Sequence, residues 1–285
     1  MTIYEYQVKH WRFWKEFLLN YFAAIGLMSI PAVVWVVIDP DAFEGRWWII
    51  AVMGVLALSW SVYTARYQVP VQDFRCCNTS IRLEVGDLFD HSSAHTVIGM
   101  ASTFDVEING GIVDRKGTQG QLLKRHYGGS TDAMDYAIDR ALTASPVAPV
   151  GSVNKEDKKV YPVGTVAPIS LPDGKTYFCL AYSNLDENNV AHGTIRGVIA
   201  SLNSLWNECA RADNRRPICI PLIGQGMDRI PDLGAELSVR LISLSYLLSS
   251  QRRSFSPELR IIVPPHAADL IDMPQFQAFL TSLEN

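Results

Sequence analysis

No CxxC pair, and no histidine at zinc-like spacing from a cysteine, occurs in this 285-residue chain. Its five cysteines, Cys76, Cys77, Cys179, Cys209 and Cys219, therefore supply neither a zinc ribbon nor a disulfide framework, and they read as reduced thiols. The six histidines are scattered without a cluster, so no metal site is expected. A basic surplus is also lacking. With a formal net charge of -4 the chain does not have the electrostatic footprint of a general nucleic-acid binder. Charge itself is absent from two stretches, and these set the organisation of the protein.

From Phe17 to Ile38 there is no charged side chain, a length sufficient for a bilayer core, with Pro31 inside it. A second uncharged run extends from Trp47 to Ala65 between Arg46 and Arg66. Aromatic residues such as Trp14, Tyr21, Trp48 and Tyr63 stand near the ends, as in an interfacial belt. The pattern predicts a two-span transmembrane hairpin over 1–66. A secretory signal is the competing reading, although the first run is long for one and no small-residue cleavage site follows. Lys9, Arg12 and Lys15 precede the first run, Arg66 and Arg75 follow the second, and three acids with one Arg lie between them. That bias puts both termini in the cytoplasm of a bacterial inner membrane. The small residues Ala57 and Ser61 suit close helix approach. Cys76-Cys77 lies shortly beyond, which admits S-acylation beside the plainer reading of residues leading into a strand.

Residues 67–79 read as a linker and 80–285 as a ligand-binding domain. Ser80–Val85 alternates like a half-buried strand, and Thr96–Ala101 is more apolar. Thr118 is a candidate helix cap, Thr131–Ala141 an amphipathic helix, and the polar stretch from Thr143 to Lys159 a mobile excursion. Leu171-Pro-Asp-Gly174 marks a hairpin between two strands. Ile195, Val198, Ile199, Leu202, Leu205, Trp206 and Cys209 recur at core-facing helical spacing. A strand is expected to end at Ile223, with a helix starting near Asp232 that repeats the pattern through Leu237, Leu241, Leu244 and Leu248, then a last strand Leu259–Val263. The fold class is α/β: the membrane hairpin, then a three-layer α/β/α domain around a mixed sheet. Ligands of such sheets sit beyond the strand carboxyl ends. Gly224 and Gly226 there make either an anion cradle or a plain strand-to-helix turn.

Three motifs in order resemble the macro domain, the ADP-ribose-binding fold. Ile81-Arg-Leu-Glu-Val-Gly-Asp87-Leu88 is similar to the family's first-strand motif, Gly117-Thr118-Gln119-Gly120-Gln121 stands in place of its first glycine loop, and Ile220-Pro-Leu-Ile-Gly-Gln-Gly-Met227 resembles its second phosphate loop. The resemblance implies an adenine contact at Asp87, with further ligand contacts at Leu88, Met100 and Ser102. It implies phosphate contacts at Gly117, Thr118, Gln119 and Gly120 and at Gly224, Gln225, Gly226 and Met227. Lys116, His126 and Arg229 are supplementary candidates.

Two spans before such a domain look like the membrane effectors of type II Thoeris anti-phage systems. In that family a partner TIR-domain protein makes a histidine adduct of ADP-ribose, the macro domain binds it, and an oligomer disrupts the membrane. The partners thereby implied are this nucleotide, the lipid bilayer, the TIR protein through its product, and further copies of the chain; no other cofactor is called for. Hydrolytic macro domains carry an Asn-Ala-Ala-Asn run where this chain has Gly99-Met-Ala-Ser102. A non-catalytic effector is therefore expected, with an ADP-ribosyl hydrolase or a passive binding module as alternatives. Asp105, Asp114 and Asp228 are nominated for catalysis by loop proximity alone.

Overall fold

A computed structural model describes residues 11–38, 48–65, 69–107, 115, 117–153, 158–185, 191–212, 215–225, 230 and 233–284. The chain divides into two compact units, 1–68 and 69–285.

In the first unit, α1 (Trp11–Ile38) and α2 (Trp48–Ala65) pack against each other. Ala24, Ala57 and Ser61 are buried between them, and the Ser61 hydroxyl donates to the Ala57 carbonyl at 2.8 Å. The two small residues on α2 thus serve close approach within the hairpin. Outward faces carry exposed Leu19, Phe22, Leu27, Ile30, Trp35 and Val55. Phe17–Trp35 is long and apolar enough to cross a membrane by length and composition, whereas the apolar part of α2, Trp48–Thr64, is shorter. The intervening tract 39–47, Lys9 and Arg66 lie outside the described residues.

The second unit is built on a sheet in the order β1-β2-β10-β9-β3-β7-β6, with β8 on β7. Its members are β1 (Val71–Phe74), β2 (Thr79–Val85), β3 (His95–Ala101), β6 (Val166–Ser170), β7 (Thr176–Leu185), β8 (Ala191–Gly193), β9 (Ile218–Pro221) and β10 (Glu258–Val263). From β2 to β7 every neighbouring pair is parallel, while β1, β6 and β8 add antiparallel edges. Parallel strands need crossovers, and these supply α3 (Thr118–His126) and α4 (Thr131–Thr143) on one face. The helices α5 (Ile195–Ala212) and α6 (Ala235–Arg252) pack together in a core with Tyr246 and Phe255. Beyond β10 come α7 (Pro265–Ala268) and α8 (Met273–Ser282), the latter held to β1 by hydrogen bonds between Gln277 and Val71. This is the expected mixed sheet.

Several expectations change. Residues 71–74, assigned to the linker, form β1: four residues give too little alternation to announce a strand, yet Phe74 is buried. The stretch 143–159 contains β4 (Gly151–Val153), which pairs with β5 (Lys158–Val160) as an antiparallel ribbon held by backbone bonds. Gly117, not Thr118, takes the N-cap of α3. Strand β9 stops at Pro221, and α6 starts at Ala235 because Gly234 is extended with ψ 164. On α6 the periodicity is right but the face is wrong. Val239, Ile242 and Tyr246 turn inward with Ser238, Ser243 and Ser250, while Leu237, Leu244 and Leu248 are exposed and Leu241 is half-buried. Ile199 of α5 is likewise exposed.

The buried thiols make stability pH-dependent. Burial pushes Cys179 and Cys219 up to about 12, and Cys209 well above its ordinary value of 9.0. These groups are neutral in the folded chain and ionise first in the unfolded one, so their contribution is complete below about pH 9 and is lost as pH rises toward 12. Each thiol costs about 1.4 kcal/mol one unit above the unfolded pKa. Urea midpoints should hold between pH 7 and 8 and drop clearly by pH 10. A flat profile would contradict this burial.

Candidate ligand-binding edge of the sheet

Because β2, β10, β9, β3 and β7 are parallel, their carboxyl ends share one edge. β9 and β3 are neighbours there, so the loops after Pro221 and after Ala101 leave side by side.

After β2, the Gly86 N–H donates to the Val263 carbonyl at 3.0 Å. Asp87 then caps a short 3-10 turn, Leu88–Asp90, its Oδ1 accepting from the Phe89 N–H at 3.0 Å. Its other oxygen is ion-paired with Arg125 from α3. The guanidinium also donates to Gln121 Oε1 at 3.2 Å and lies 5.2 Å from the Phe89 ring centroid. The sequence reading missed Arg125; helical spacing gives no sign of a partner 38 residues away.

After β3 the chain turns inward. The Ser102 N–H donates to the Ser183 carbonyl at 2.8 Å, and its own carbonyl accepts from the Tyr161 N–H at 2.9 Å. Among the described residues the buried hydroxyls of Ser102 and Thr103 have no hydrogen-bond partner, a state that leaves polar groups desolvated at a cost. Phe104, at φ 52, packs edge-on to Tyr161. Asp105 Oδ1 accepts from the Glu107 N–H at 2.9 Å, and the Gln119 amide donates to the Asp105 carbonyl, tying the loop to the first turn of α3. Gly117 offers that turn no side-chain cap, so the positive end of the helix dipole receives no acceptor from the cap residue's side chain.

After β9, Leu222 and Ile223 are buried and Gly224 adopts φ +76. A Cβ on Gly224 would lie 2.8 Å from Leu233 Cδ2 and 3.0 Å from Ile230 Cδ1. The Ile230 N–H donates to the Gly224 carbonyl at 3.2 Å, the Gln225 amide donates to the Leu233 carbonyl, and the Ser238 hydroxyl donates to the Ile223 carbonyl at 3.0 Å. The loop is thus folded back onto α6, whose N-cap Gly234 also supplies no side-chain bond.

Of the expected contacts, Asp87, Gly117, Thr118, Gln119, Gly224 and Gln225 lie on these three loops or the helix start that follows. Leu88 and Met100 both belong to the core cluster that includes residues of α3 and α4, with Met100 1% exposed. Gly120 and Ser102 are buried. The His126 ring sits 5.5 Å from Tyr177, which also neighbours Phe89 at 6.4 Å. Gly226, Met227, Asp114, Lys116, Asp228 and Arg229 lie outside the described residues. Among the described residues no group of three or more His, Cys, Asp or Glu side chains could hold a metal ion.

The arrangement offers an amine acceptor at Asp87 and side-chain-free helix N-termini on adjacent loops, chemistry that suits an elongated ligand with an anionic middle. The mixed sheet, its helical layers and the loops at its carboxyl edge define a macro domain. Residues 81–264 match the family model described as Thoeris protein ThsA, Macro domain, and the chain belongs to that family. Among relatives, the Thoeris protein ThsA of Bacillus amyloliquefaciens (strain Y2) is 23% identical over 155 residues, 54% of this chain and 51% of that protein. The chain thus spans about half the length of this relative. Among solved structures, a mutant macrodomain of Oceanobacillus iheyensis aligns with TM-score 0.49 and 10% identity, covering 75% of this chain and 99% of that one. The same organism's macrodomain with ADP aligns with TM-score 0.48 and 12% identity, covering 76% and 98%.

Proposed function

We propose that this chain is a membrane-anchored receptor: its macro domain takes up an ADP-ribose-type nucleotide, such as a histidine adduct made by a partner TIR protein, and assembles with further copies to disrupt the bacterial inner membrane in anti-phage defence. The observation that carries the reading is the match of residues 81–264 to the ThsA macro domain, supported by Asp87 after β2 and Gly224 after β9, each in a loop that follows a parallel strand. The apolar outer faces of α1 and α2 support the anchor, as one span or two, with the macro domain cytoplasmic. A binding rather than hydrolytic role is supported by Gly99-Met-Ala-Ser102 in place of the asparagine run of hydrolytic relatives. Gly99 is held to that identity, since a Cβ there would come 2.6 Å from Tyr182 Cε1. Ligand binding biases assembly only by as much as it prefers the assembling state.

Calorimetry with ADP-ribose on the full chain in lipid nanodiscs tests the receptor. Asp87→Ala should weaken binding at least about tenfold, the loss of a hydrogen bond to a charged acceptor. Asp87→Asn keeps an oxygen for the Phe89 N–H and so separates the turn cap from the base contact. Wild-type affinity in both variants would remove the adenine pole.

A further inference from the structure

We propose, resting on the receptor reading above in which Asp87 accepts the adenine amine, that Arg125 contacts the same base and completes with Asp87 a donor–acceptor pair selective for adenine.

The pair is held from several sides. Asp87 Oδ1 accepts from the Phe89 N–H, and Oδ2 accepts from Arg125 Nη2. Each carboxylate oxygen has two acceptor sites, so these bonds leave room for a ligand amine. On the arginine, the same Nη2 also donates to Gln121 Oε1, one turn back on α3, at 3.2 Å. Both of its protons are thereby used, while those on Nε and Nη1 make no hydrogen bond among the described residues. Phe89 fixes where these donors stand, since its ring centroid lies 5.2 Å from the guanidinium carbon and Tyr177 lies behind it at 6.4 Å.

Folding stability does not account for this arrangement. The Arg125 and Asp87 side chains are 46% and 32% exposed, and ion pairs at such exposure contribute little. Base chemistry does account for it. A carboxylate beside guanidinium N–H groups presents an acceptor and a donor together, the pattern that a single asparagine amide offers to adenine. Adenine answers with its exocyclic amine as donor and the ring nitrogen N1 or N7 as acceptor. Guanine and hypoxanthine set a carbonyl oxygen where that amine stands, against the carboxylate. Asp87 therefore takes the amine and Arg125 the ring nitrogen.

The test is calorimetry of the full chain in lipid nanodiscs with ADP-ribose and with two analogues, in which carbon replaces N1 or N7 of the adenine. One analogue should bind the wild type at least about tenfold more weakly than ADP-ribose does, the loss of a hydrogen bond from a charged donor. Arg125→Ala should weaken ADP-ribose by a similar factor and bind that analogue and ADP-ribose alike. Thermal unfolding checks that the variant is folded, and the wild-type comparison needs no variant. Equal wild-type affinity for all three ligands, or a discrimination that survives in Arg125→Ala, overturns the contact and leaves the receptor standing. A wild-type chain without ADP-ribose affinity sinks the receptor and the contact together.

Discussion

Replacing Gly224 by valine should abolish nucleotide binding and lower the stability of the macro domain by about 2–5 kcal/mol, combining about 1–2 for a left-handed backbone with about 1–3 for overpacking. The backbone sits at φ +76, where a β-branched residue is strained. The new side chain would also enter space held by Leu233 and Ile230, both buried and therefore unable to swing into solvent. Ile230 is further pinned by its N–H bond to the Gly224 carbonyl. The loop must open, and the N–H groups proposed to hold the phosphates move with it. Gly224→Ala, with less bulk and the same strain, should lie between. Denaturant unfolding and ADP-ribose calorimetry read the two effects separately, and full affinity in the alanine variant would exclude this loop as the phosphate clamp.

Trp206→Ala should cost about 3–5 kcal/mol of stability and, in a domain of this size, lower Tm by roughly 10 °C or more. Trp206 is the largest fully buried side chain of the α5–α6 core. Its ring meets Tyr246 edge-on at 5.3 Å and stacks on Phe255 at 6.2 Å, and its Nε1 donates to the Ser245 hydroxyl at 3.0 Å. Through Tyr246 the damage reaches β2, because the tyrosine hydroxyl shares a 2.6 Å hydrogen bond with Thr79. Trp206→Phe should recover part of the loss by refilling the cavity. Nucleotide affinity of the folded fraction should stay near wild type in both, in contrast to Gly224→Val, since among the described residues the ring and hydrogen-bond partners of Trp206 are Tyr246, Phe255 and Ser245, none of them on the three loops. Calorimetric unfolding checks the first claim and ligand titration the second.

The contrast between those residues also explains what the sequence disclosed. Strands β2, β3 and β10 were legible because alternation or an apolar run is a local property of the backbone's surroundings. The β6–β7 turn was legible through Gly174, whose φ of 81 only glycine adopts freely. Gly224 belongs to the same class, a local requirement written in one letter. The Asp87–Arg125 pair is different: neither residue carries a mark of the other, and only the crossover from β2 through β3 to α3 brings them together. Met100 marks another limit: motif order fixes a strand's position without fixing which side chains point into the core, where Met100 is buried. On α6 two apolar rows compete, and the row with fewer leucines won the interior because Ser238, Ser243 and Ser250 let the helix lie close to its neighbours. Strand β1 is four residues long and depends on α8 from the far end of the chain.

That dependence on distant partners shapes how the protein is made. β2 has its parallel neighbour in β10, and the Thr79 hydroxyl donates to the Ser256 carbonyl 177 residues later. At synthesis rates of about 5–20 residues per second, β2 waits roughly ten to thirty seconds for the strand beside it. During that interval the apolar helices 11–38 and 48–65 have already left the ribosome, while the sheet that follows them is still open along one side. The two N-terminal helices are therefore complete well before the sheet of the macro domain can close.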